Sequence, residues 1–333
     1  MLKKIHWILF FLLVFGANAQ DIHWSQYDYN PVFQNPANVG QFNGDYRFHA
    51  NYRDQWRSVT VPFQTFSMSA EYKKFLHDRL SIGGFFFHDA AGDGVFTTVE
   101  FQPSISYMVP LTADSVHLFR GGLQFGVNHR RFDADAFTFD SQWDGFIINP
   151  SLPTNEQFVS ENKTNFTIGS GVSYEFTNSK FNRTIVGLGY FNLNRPNQGF
   201  LGQDIRRERR FNFFARGEYQ IIPNWHIIPS FQLNTQGTYG EFILGMQGRH
   251  VLVNNPMDYR TINFGAFIRN DDAFYLLLGM EYRSFWAGIS YDINFSKLQP
   301  ASRSRGGLEI SVRYILEKIK KSKKTFRVCP DYI

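Results

Sequence analysis

Strict alternation of apolar and charged residues is the feature that most constrains the fold of this chain. In the segment from residue 46 to 53, one face would carry Tyr46, Phe48, Ala50 and Tyr52, and the other Arg47, His49, Asn51 and Arg53. Successive side chains of a β-strand point to opposite faces, so this segment predicts a strand with one apolar and one charged face. Such a strand needs an apolar environment on one side and a polar environment on the other.

The same alternation recurs through residues 45–314 and predicts about fourteen strands. They begin near residues 46, 64, 80, 95, 116, 166, 183, 211, 225, 241, 260, 273, 285 and 307. Strands of about 9 to 11 residues suit a tilted crossing of a membrane, and an even number is expected for a bacterial barrel. A soluble β-sandwich alternates too, but its strands are usually about 5 to 6 residues long. Pro103 inside the fourth strand predicts a β-bulge.

Composition favours the membrane barrel over a soluble one. Aromatic residues make up 18% of the 333 residues, yet the mean hydropathy is only −0.31. A barrel explains this combination, because half of each strand faces lipid and half faces a polar interior. We therefore predict an all-β fold, a transmembrane antiparallel β-barrel of about fourteen strands over residues 45–314.

The first 19 residues predict a signal peptide for Sec export. Lys3 and Lys4 precede an apolar run at residues 5–15, and residues 17–19 form an A-x-A cleavage site before Gln20. An uncleaved membrane anchor would need a longer apolar run. The expected destination of the exported protein is the outer membrane.

Residues 20–44, between the signal peptide and the first strand, are predicted to form a plug. The segment is dense in residues that make turns and cap helices, and proline cannot continue a central sheet. Its characteristic residues are Ser25, Gln26, Tyr27, Asn30, Asn35, Pro36, Ala37 and Gly40. We expect the plug to cap one end of the barrel.

The inward-facing charges are expected to pair across neighbouring strands. This set of lumen charges is Arg47, Arg53, Glu71, Glu100, Glu309 and Arg313. Because the first strand of a barrel closes against the last, Arg47 and Arg53 are expected near Glu71 on one side and Glu309 on the other. A paired network would block conduction, whereas a porin needs an open aqueous path, and we favour the blocked lumen.

Five segments together resemble the PorP/SprF family of Bacteroidota outer-membrane proteins. They are SQY..N....NPA..G at 25–40, the loop segment 142–153, NRPNQ at 194–198, SYDINFSKL at 290–298 and GGLEISVRYIL at 306–316, closed by Cys329-Pro330. The resemblance implies a fourteen-stranded outer-membrane barrel of the type IX secretion and gliding machinery. It also implies a partner, which is either a secreted surface adhesin or other cargo, or a periplasmic peptidoglycan-anchoring or ring component.

An outer-membrane transporter of the FadL type is the alternative. The NPA tripeptide at residues 35–37 also resembles the N-terminal hatch of those fourteen-stranded proteins, which carry hydrophobic small molecules through the barrel wall. Their hatch takes several tens of residues, whereas only the 24 residues 21–44 precede the first strand here. The short plug favours a scaffold over a transporter.

The longest loop, residues 129–163, is the candidate partner-binding site. Its large aromatic residues are Phe137, Phe139, Trp143 and Phe146. Loops on a rigid scaffold commonly carry binding, and large aromatics often dominate interfaces. These residues could instead pack within the loop or join the outer aromatic girdle. The loop acids Asp133, Asp135, Asp140 and Asp144 lack an EF-hand spacing, which favours a solvated loop over a calcium site.

The basic C-terminal tail, residues 315–333, is expected on the periplasmic side. Residues 297–333 hold ten Lys and Arg against three acids, so the net charge of +5 comes from this end of the chain. The residues singled out in the tail are Lys318, Lys320, Lys321, Lys323, Lys324 and Cys329. The tail would either lie against lipid phosphates or anchor an acidic periplasmic protein. A sheltered thiol is favoured for Cys329 over an intermolecular disulfide.

No catalytic, cofactor or metal site is expected. The histidines beside charged residues, His88 with Asp89 and His129 with Arg130, occur without a G-x-S-x-G or H-E-x-x-H motif. The sequence therefore predicts a non-enzymatic protein that contacts outer-membrane lipids and has no nucleic-acid partner.

Overall fold

Fourteen antiparallel strands form one closed barrel. The structure is a computed structural model, and it describes residues 21–55, 57, 61–92, 96–156, 160–179, 182–200, 202–255, 257–296 and 302–318. The strands are β1 (Tyr46–Gln55), β2 (Phe63–Tyr72), β3 (Leu80–Ala91), β4 (Phe96–Pro110), β5 (His117–Arg131), β6 (Asn162–Ser179), β7 (Asn182–Phe191), β8 (Arg210–Ile222), β9 (Trp225–Gln236), β10 (Tyr239–Asn255), β11 (Asp258–Arg269), β12 (Ala273–Tyr282), β13 (Phe285–Asn294) and β14 (Arg305–Leu316). Each strand pairs with its neighbours in sequence, and β1 closes the barrel against β14. The predicted all-β barrel of fourteen strands is confirmed.

Side chains alternate between the two faces of the wall as the sequence predicts. In β1, Arg53 is 1% exposed whereas Phe48 is 39% exposed. The outward set is apolar and includes Tyr52, Met68, Phe101, Ile105, Leu123, Phe125, Leu276, Leu278 and Ile289. The buried inward set is polar and includes Asn51, Ser67, Glu100, Gln102, Ser104, Gln124, Thr261, Asn263 and Ser290. The apolar outer surface is the one that lipid covers in a membrane.

The two ends of the barrel differ. Outer-membrane barrels have short periplasmic turns and longer extracellular loops. Loops 132–161 and 192–209 mark one end, which we call the outer end. β1 begins and β14 finishes at the other, which we call the inner end. Tyr46 and Tyr72 stack there with ring centroids 4.7 Å apart. Aromatic residues at both membrane interfaces are typical of such barrels.

The strands beside the longest loop extend further than predicted. Backbone pairing between β5 and β6 continues from Val127 and Phe166 to Arg131 and Asn162, although the side chains there are polar. The loop is therefore residues 132–161 rather than 129–163. Polarity marks where the apolar band stops, but the backbone hydrogen bonds of a hairpin carry on into water.

The predicted bulge at Pro103 is wrong. Phe101 pairs with Val127 and Ser104 pairs with Gln124, so the register between β4 and β5 is the same on both sides of the proline. Pairing to β5 is interrupted only at Gln102 and Pro103. Proline lacks an N–H to donate, and the loss of that bond leaves the register unchanged.

Candidate functional site

The plug lies inside the barrel, and residues 21–44 of it are described. It consists of three single turns, Tyr27–Tyr29, Pro31–Gln34 and Pro36–Asn38. Proline opens two of the turns, where its fixed φ suits the conformation and its missing N–H costs nothing. Asn35 Oδ1 caps the third turn by accepting from Ala37 N at 2.8 Å. No helix in the described part of the chain is long and apolar enough to cross a membrane.

The plug does not cap one end of the barrel as predicted, because it runs through the lumen. Ser25 lies beside Arg53, near the outer end of β1, whereas Gly40 lies beside Glu71, which pairs with the inner end of β1. Nearly every residue from Trp24 to Phe42 is buried. The polar inner wall offers hydrogen-bond partners to the plug near its outer end, in the middle and near its inner end, so the plug is held along the lumen rather than only at a rim.

The outer part of the plug is held by a cluster of buried charges. Glu309 accepts from the backbone N–H groups of Ser25 and Gln26, at 2.8 and 2.9 Å. The Ser25 hydroxyl donates to Asp292 at 2.7 Å. Arg53 bridges the two carboxylates, with 2.8 Å to each. Ser25 and Gln26, the first characteristic residues of the plug, are thus held by side chains from β1, β13 and β14.

The middle of the plug packs against the wall through aromatic rings. Tyr29 stacks on Trp286 with ring centroids 3.6 Å apart, and Tyr27 meets Phe267 edge-on at 6.4 Å. Asn30 Oδ1 accepts from Asn51 Nδ2 at 2.7 Å. A second apolar cluster joins the plug to β3 and consists of Trp24, Val32, Phe33, Val39, Phe85 and Phe87. The apolar core of the molecule therefore lies between plug and wall.

The inner end of the plug is fastened by Glu71. This carboxylate accepts from Gly40 N at 3.0 Å and from Arg47 at 2.6 Å. Gly40 has a φ of +78°, and a Cβ there would lie 2.2 Å from Ser81 Oγ. Both the backbone angle and the close approach require glycine at this position.

Glycines in the wall make room for the plug, and sequence reasoning missed them. A Cβ on Gly122 would lie 2.4 Å from Ala37 N, and one on Gly171 would lie 2.1 Å from Asn35 Oδ1. Glycine weakens a strand and often marks a place where another backbone approaches closely. Inward glycines on neighbouring strands were the available signal.

Gly122→Ala is expected to lower the free energy of unfolding by about 1–3 kcal/mol, because the methyl group overpacks the plug. Gly121→Ala is the matched control, since a Cβ there meets nothing within 4 Å. Urea unfolding of both variants in one detergent, followed by tryptophan fluorescence, would measure the difference. Equal stabilities for the two variants would contradict the close packing of the plug on β5.

The lumen charges named from the sequence all have ionic partners. Arg47 pairs with Glu71 and Arg53 with Glu309, the neighbours expected from closure of the barrel. Glu100 pairs with Arg207 of an outer loop, and Arg313 pairs with Glu281. Sequence reasoning missed the partners Arg207, Glu281 and Asp292. It also missed three further ion pairs, Arg120 with Glu175, Arg249 with Glu218 and Arg269 with Glu241. Two cavities of about 410 Å³ flank the plug, one at each end of the lumen.

A small hairpin forms the tip of loop 132–161. Trp143 and Ile148 form an antiparallel bridge, and Asp144 Oδ1 accepts from Phe146 N and Ile147 N, both at 2.9 Å. The N–H groups of Ile147 and Phe146 lower the pKa of the Asp144 carboxyl. At the base of this hairpin, buried Gln142 donates to the backbone carbonyls of Pro150 and Leu152. Residues 142–149 are therefore an ordered turn, which we call the outer hairpin.

The outer hairpin exposes large apolar side chains. Phe146 is 88% exposed and Trp143 is 55% exposed. Ile147 and Ile148, which sequence reasoning missed, are exposed beside them. Phe137 is exposed outside the hairpin, and Phe139 is half-buried. The structure thus brings two of the four predicted aromatics together at one tip.

Two of the four loop acids, Asp133 and Asp144, stabilise turns through their carboxylates. Asp133 Oδ1 accepts from Asp135 N at 3.1 Å, as Asp144 does for its own turn. Within the described residues, no three His, Cys, Asp or Glu side chains come together as metal ligands would.

Of the six residues singled out in the predicted tail, Lys318 is the one that lies within the described chain. Its Nζ donates to Tyr72 Oη at 3.0 Å and lies 5.1 Å from the Tyr46 ring centroid. The hydrogen bond to Tyr72 raises the pKa of Lys318. The other predicted tail residues, Lys320, Lys321, Lys323, Lys324 and Cys329, lie outside the described residues, as does the predicted signal peptide.

A closed fourteen-stranded barrel with an apolar outer face and a polar lumen defines an outer-membrane β-barrel protein. The sequence matches, over residues 16–314, the family described as type IX secretion system membrane protein PorP/SprF. The chain belongs to the PorP/SprF family, and it is an outer-membrane component of type IX secretion. The predicted family and location are confirmed.

Solved structures share the barrel. A TodX deltaS2S3 mutant, a monoaromatic hydrocarbon channel, is 8% identical with a TM-score of 0.51, over 85% of this chain and 93% of that one. The Pseudomonas putida toluene transporter TodX is 9% identical with a TM-score of 0.50, over 85% and 92%. At these identities the likeness shows the fold alone. No curated protein matches the sequence.

Proposed function

We propose that the protein is a non-enzymatic scaffold of the type IX secretion and gliding system. In this proposal the outer hairpin holds a secreted adhesin or similar cargo at the cell surface. The observation that carries it is the exposed apolar tip of the hairpin, where Phe146 is 88% exposed. Large exposed apolar groups in one patch are typical of protein interaction sites.

The position of the tip argues against a place in the aromatic girdle. The last apolar pair of the β5–β6 hairpin is Val127 with Phe166, and four polar pairs follow before the loop begins. At a rise of about 3.3 Å per residue, these add roughly 13 Å of strand beyond the apolar band. The tip of the outer hairpin therefore stands in water, where a soluble partner can reach it.

The hairpin is also preorganised for binding. Asp144 and Gln142 fix its backbone before any partner arrives. Less conformational entropy is then lost on association, which leaves more of the apolar contact energy for affinity. Aromatic residues on a rigid support are the side chains that most often dominate an interface.

The occupied lumen supports a scaffold rather than a conduit. The plug is fixed at its outer end by Glu309 and at its inner end by Glu71. A FadL-type transporter, the alternative, needs a path for its substrate. The two-ended attachment gives the barrel a rigid interior that suits the holding of a partner.

Replacing Trp143 and Phe146 together with Ala is expected to weaken capture of the cognate surface protein. Residues that dominate an interface contribute about 2 kcal/mol or more each, so affinity should fall roughly 30-fold or more per residue. The measurement is pull-down from outer membranes, with the partner sought first among products of neighbouring genes. Met257→Ala is the control, since Met257 is 83% exposed but lies on an inner turn.

The variant should remain a folded, heat-modifiable barrel, because neither side chain packs in the wall. Unchanged pull-down would contradict surface capture. If deletion of residues 317–333 then abolished a periplasmic complex, the protein would instead anchor the machinery from below.

A further inference from the structure

The cavity at the outer end of the lumen has the form of a binding site for a small molecule. It measures about 410 Å³ and lies between the plug, the wall of β3 to β5 and loop 192–209. Its apolar lining includes Phe63, Phe87 and Phe96. Ligand sites are typically concave, mostly apolar and supplied with a few placed polar groups. Six charged residues line the cavity, and four of them are in ion pairs: Arg207 with Asp21, Arg206 with Asp204 and Glu208 with Arg195. Asp89 and Arg130 are the two lining charges that make no ion pair with the described residues.

Arg130 has N–H donors that are not used in ion pairs, whereas the donors of nearby Arg207 are. Its guanidinium lies 4.7 Å from the Phe96 ring centroid and donates to Gln198 Oε1 at 2.6 Å. Nearby Arg207 is paired with two carboxylates, at 2.7 and 3.0 Å. Within the described ranges, no carboxylate lies at ion-pair distance from Arg130. Its planar fork of donors is therefore largely available.

Asp89 is a negative charge in the same cavity that also makes no ion pair with the described residues. Its carboxylate accepts from Thr65 Oγ1 at 2.6 Å, and no cation among the described residues pairs with it. Asp89 pairs in register with Thr98, which pairs with Arg130. Two strand spacings of about 4.8 Å therefore separate the backbones of the two charged residues. Opposite charges face one cavity without touching each other.

We propose that this cavity binds a small zwitterion, with an ammonium and a carboxylate on an apolar body. The carboxylate would meet the fork of Arg130, the ammonium would meet Asp89, and the apolar body would lie against the phenylalanines. Charges in a partly enclosed site are stabilised by pairing, and the ligand supplies both missing partners. A free hydrophobic amino acid has this chemistry. The site is independent of the proposed capture of cargo by the outer hairpin.

Three related probes test the proposal by isothermal titration calorimetry on the full barrel in detergent. Phenylalanine carries both charges, N-acetylphenylalanine only the carboxylate, and phenylalaninamide only the ammonium. A hydrogen bond to a charged group contributes about 1.5–3 kcal/mol. Phenylalanine should therefore bind roughly 10- to 100-fold more tightly than either singly charged probe. No binding of phenylalanine, or equal binding of all three probes, would overturn the proposal.

Variants assign the two charges. Arg130→Gln should remove the preference for phenylalanine over its amide, and Asp89→Asn should remove the preference over the acetylated form. Arg209→Gln, in the exposed part of the same loop, should change neither preference. Ala91→Phe fills the cavity without removing a charge and should abolish binding, so the test survives if a charge variant fails to fold. Full affinity in both Arg130→Gln and Ala91→Phe would place the ligand elsewhere and refute the site.

Discussion

Deletion of residues 25–40 is expected to convert a closed barrel into a conducting pore. The intact protein in planar bilayers should show little steady current, because the plug occupies the lumen from Ser25 to Gly40 and the lumen charges are paired. The deletion leaves an inner wall of polar residues such as Asn51, Gln247 and Asn263, which water can solvate. The emptied lumen should therefore fill with water and give large, stable current steps.

A second deletion provides the control for this experiment. Removing residues 143–148 from the outer hairpin shortens the chain but leaves every plug contact in place. That variant should stay closed. Porin-like current steps from the intact protein, or no current from the variant without residues 25–40, would show that the plug is not what blocks conduction.

Arg53→Ala is expected to lower the free energy of unfolding of the barrel strongly. The side chain is 1% exposed and joins Asp292 to Glu309. Removing one partner of a buried ion pair typically costs about 3–5 kcal/mol, because the remaining charge stays buried. Arg269 reaches Asp292 at 3.4 Å and relieves that carboxylate, so Glu309 bears most of the loss. Unfolding in denaturant measures the effect.

Arg57→Ala is the matched control for Arg53→Ala. Arg57 also bonds a carboxylate, that of Asp54, but its own side chain is 74% exposed. Exposed pairs contribute about 0–1 kcal/mol, so this variant should unfold almost as the parent does. Similar losses for both arginines would mean that water reaches Arg53 as freely as it reaches Arg57.

The sequence was enough to predict the wall of the barrel. Side-chain alternation depends only on the local backbone. A closed barrel pairs its first strand with its last, and an even strand count makes that pair antiparallel. The neighbours Arg47 with Glu71 and Arg53 with Glu309 could therefore be found without coordinates. Arg207 could not, because it reaches Glu100 from a loop that has no periodic pattern.

The path of the plug was also beyond the reach of the sequence. Its turns were visible in Asn35 and Pro36, but turn residues say nothing about which wall they will face. The position of the plug is determined by the inward carboxylates of distant strands and by the space left by the missing side chains of Gly122 and Gly171. The outer hairpin was missed for a related reason. The hydrogen bonds from Gln142 that hold it form only once the loop has folded, and a loop has no periodic sequence pattern from which that fold could be predicted.

The attachment of Ser25 and Gln26 to Glu309 has a consequence for assembly. The plug is made before the strands of the wall, yet the carboxylates that fasten its outer end come from β13 and β14, more than 260 residues later. The two carboxylates that hold Ser25 and Gln26 are absent until the final hairpin is made and β14 closes on β1. A barrel that stops short of its last two strands lacks both carboxylates, so the outer end of its plug stays unfastened although Glu71 holds the inner end. Full docking of the plug therefore requires that the wall around it is complete.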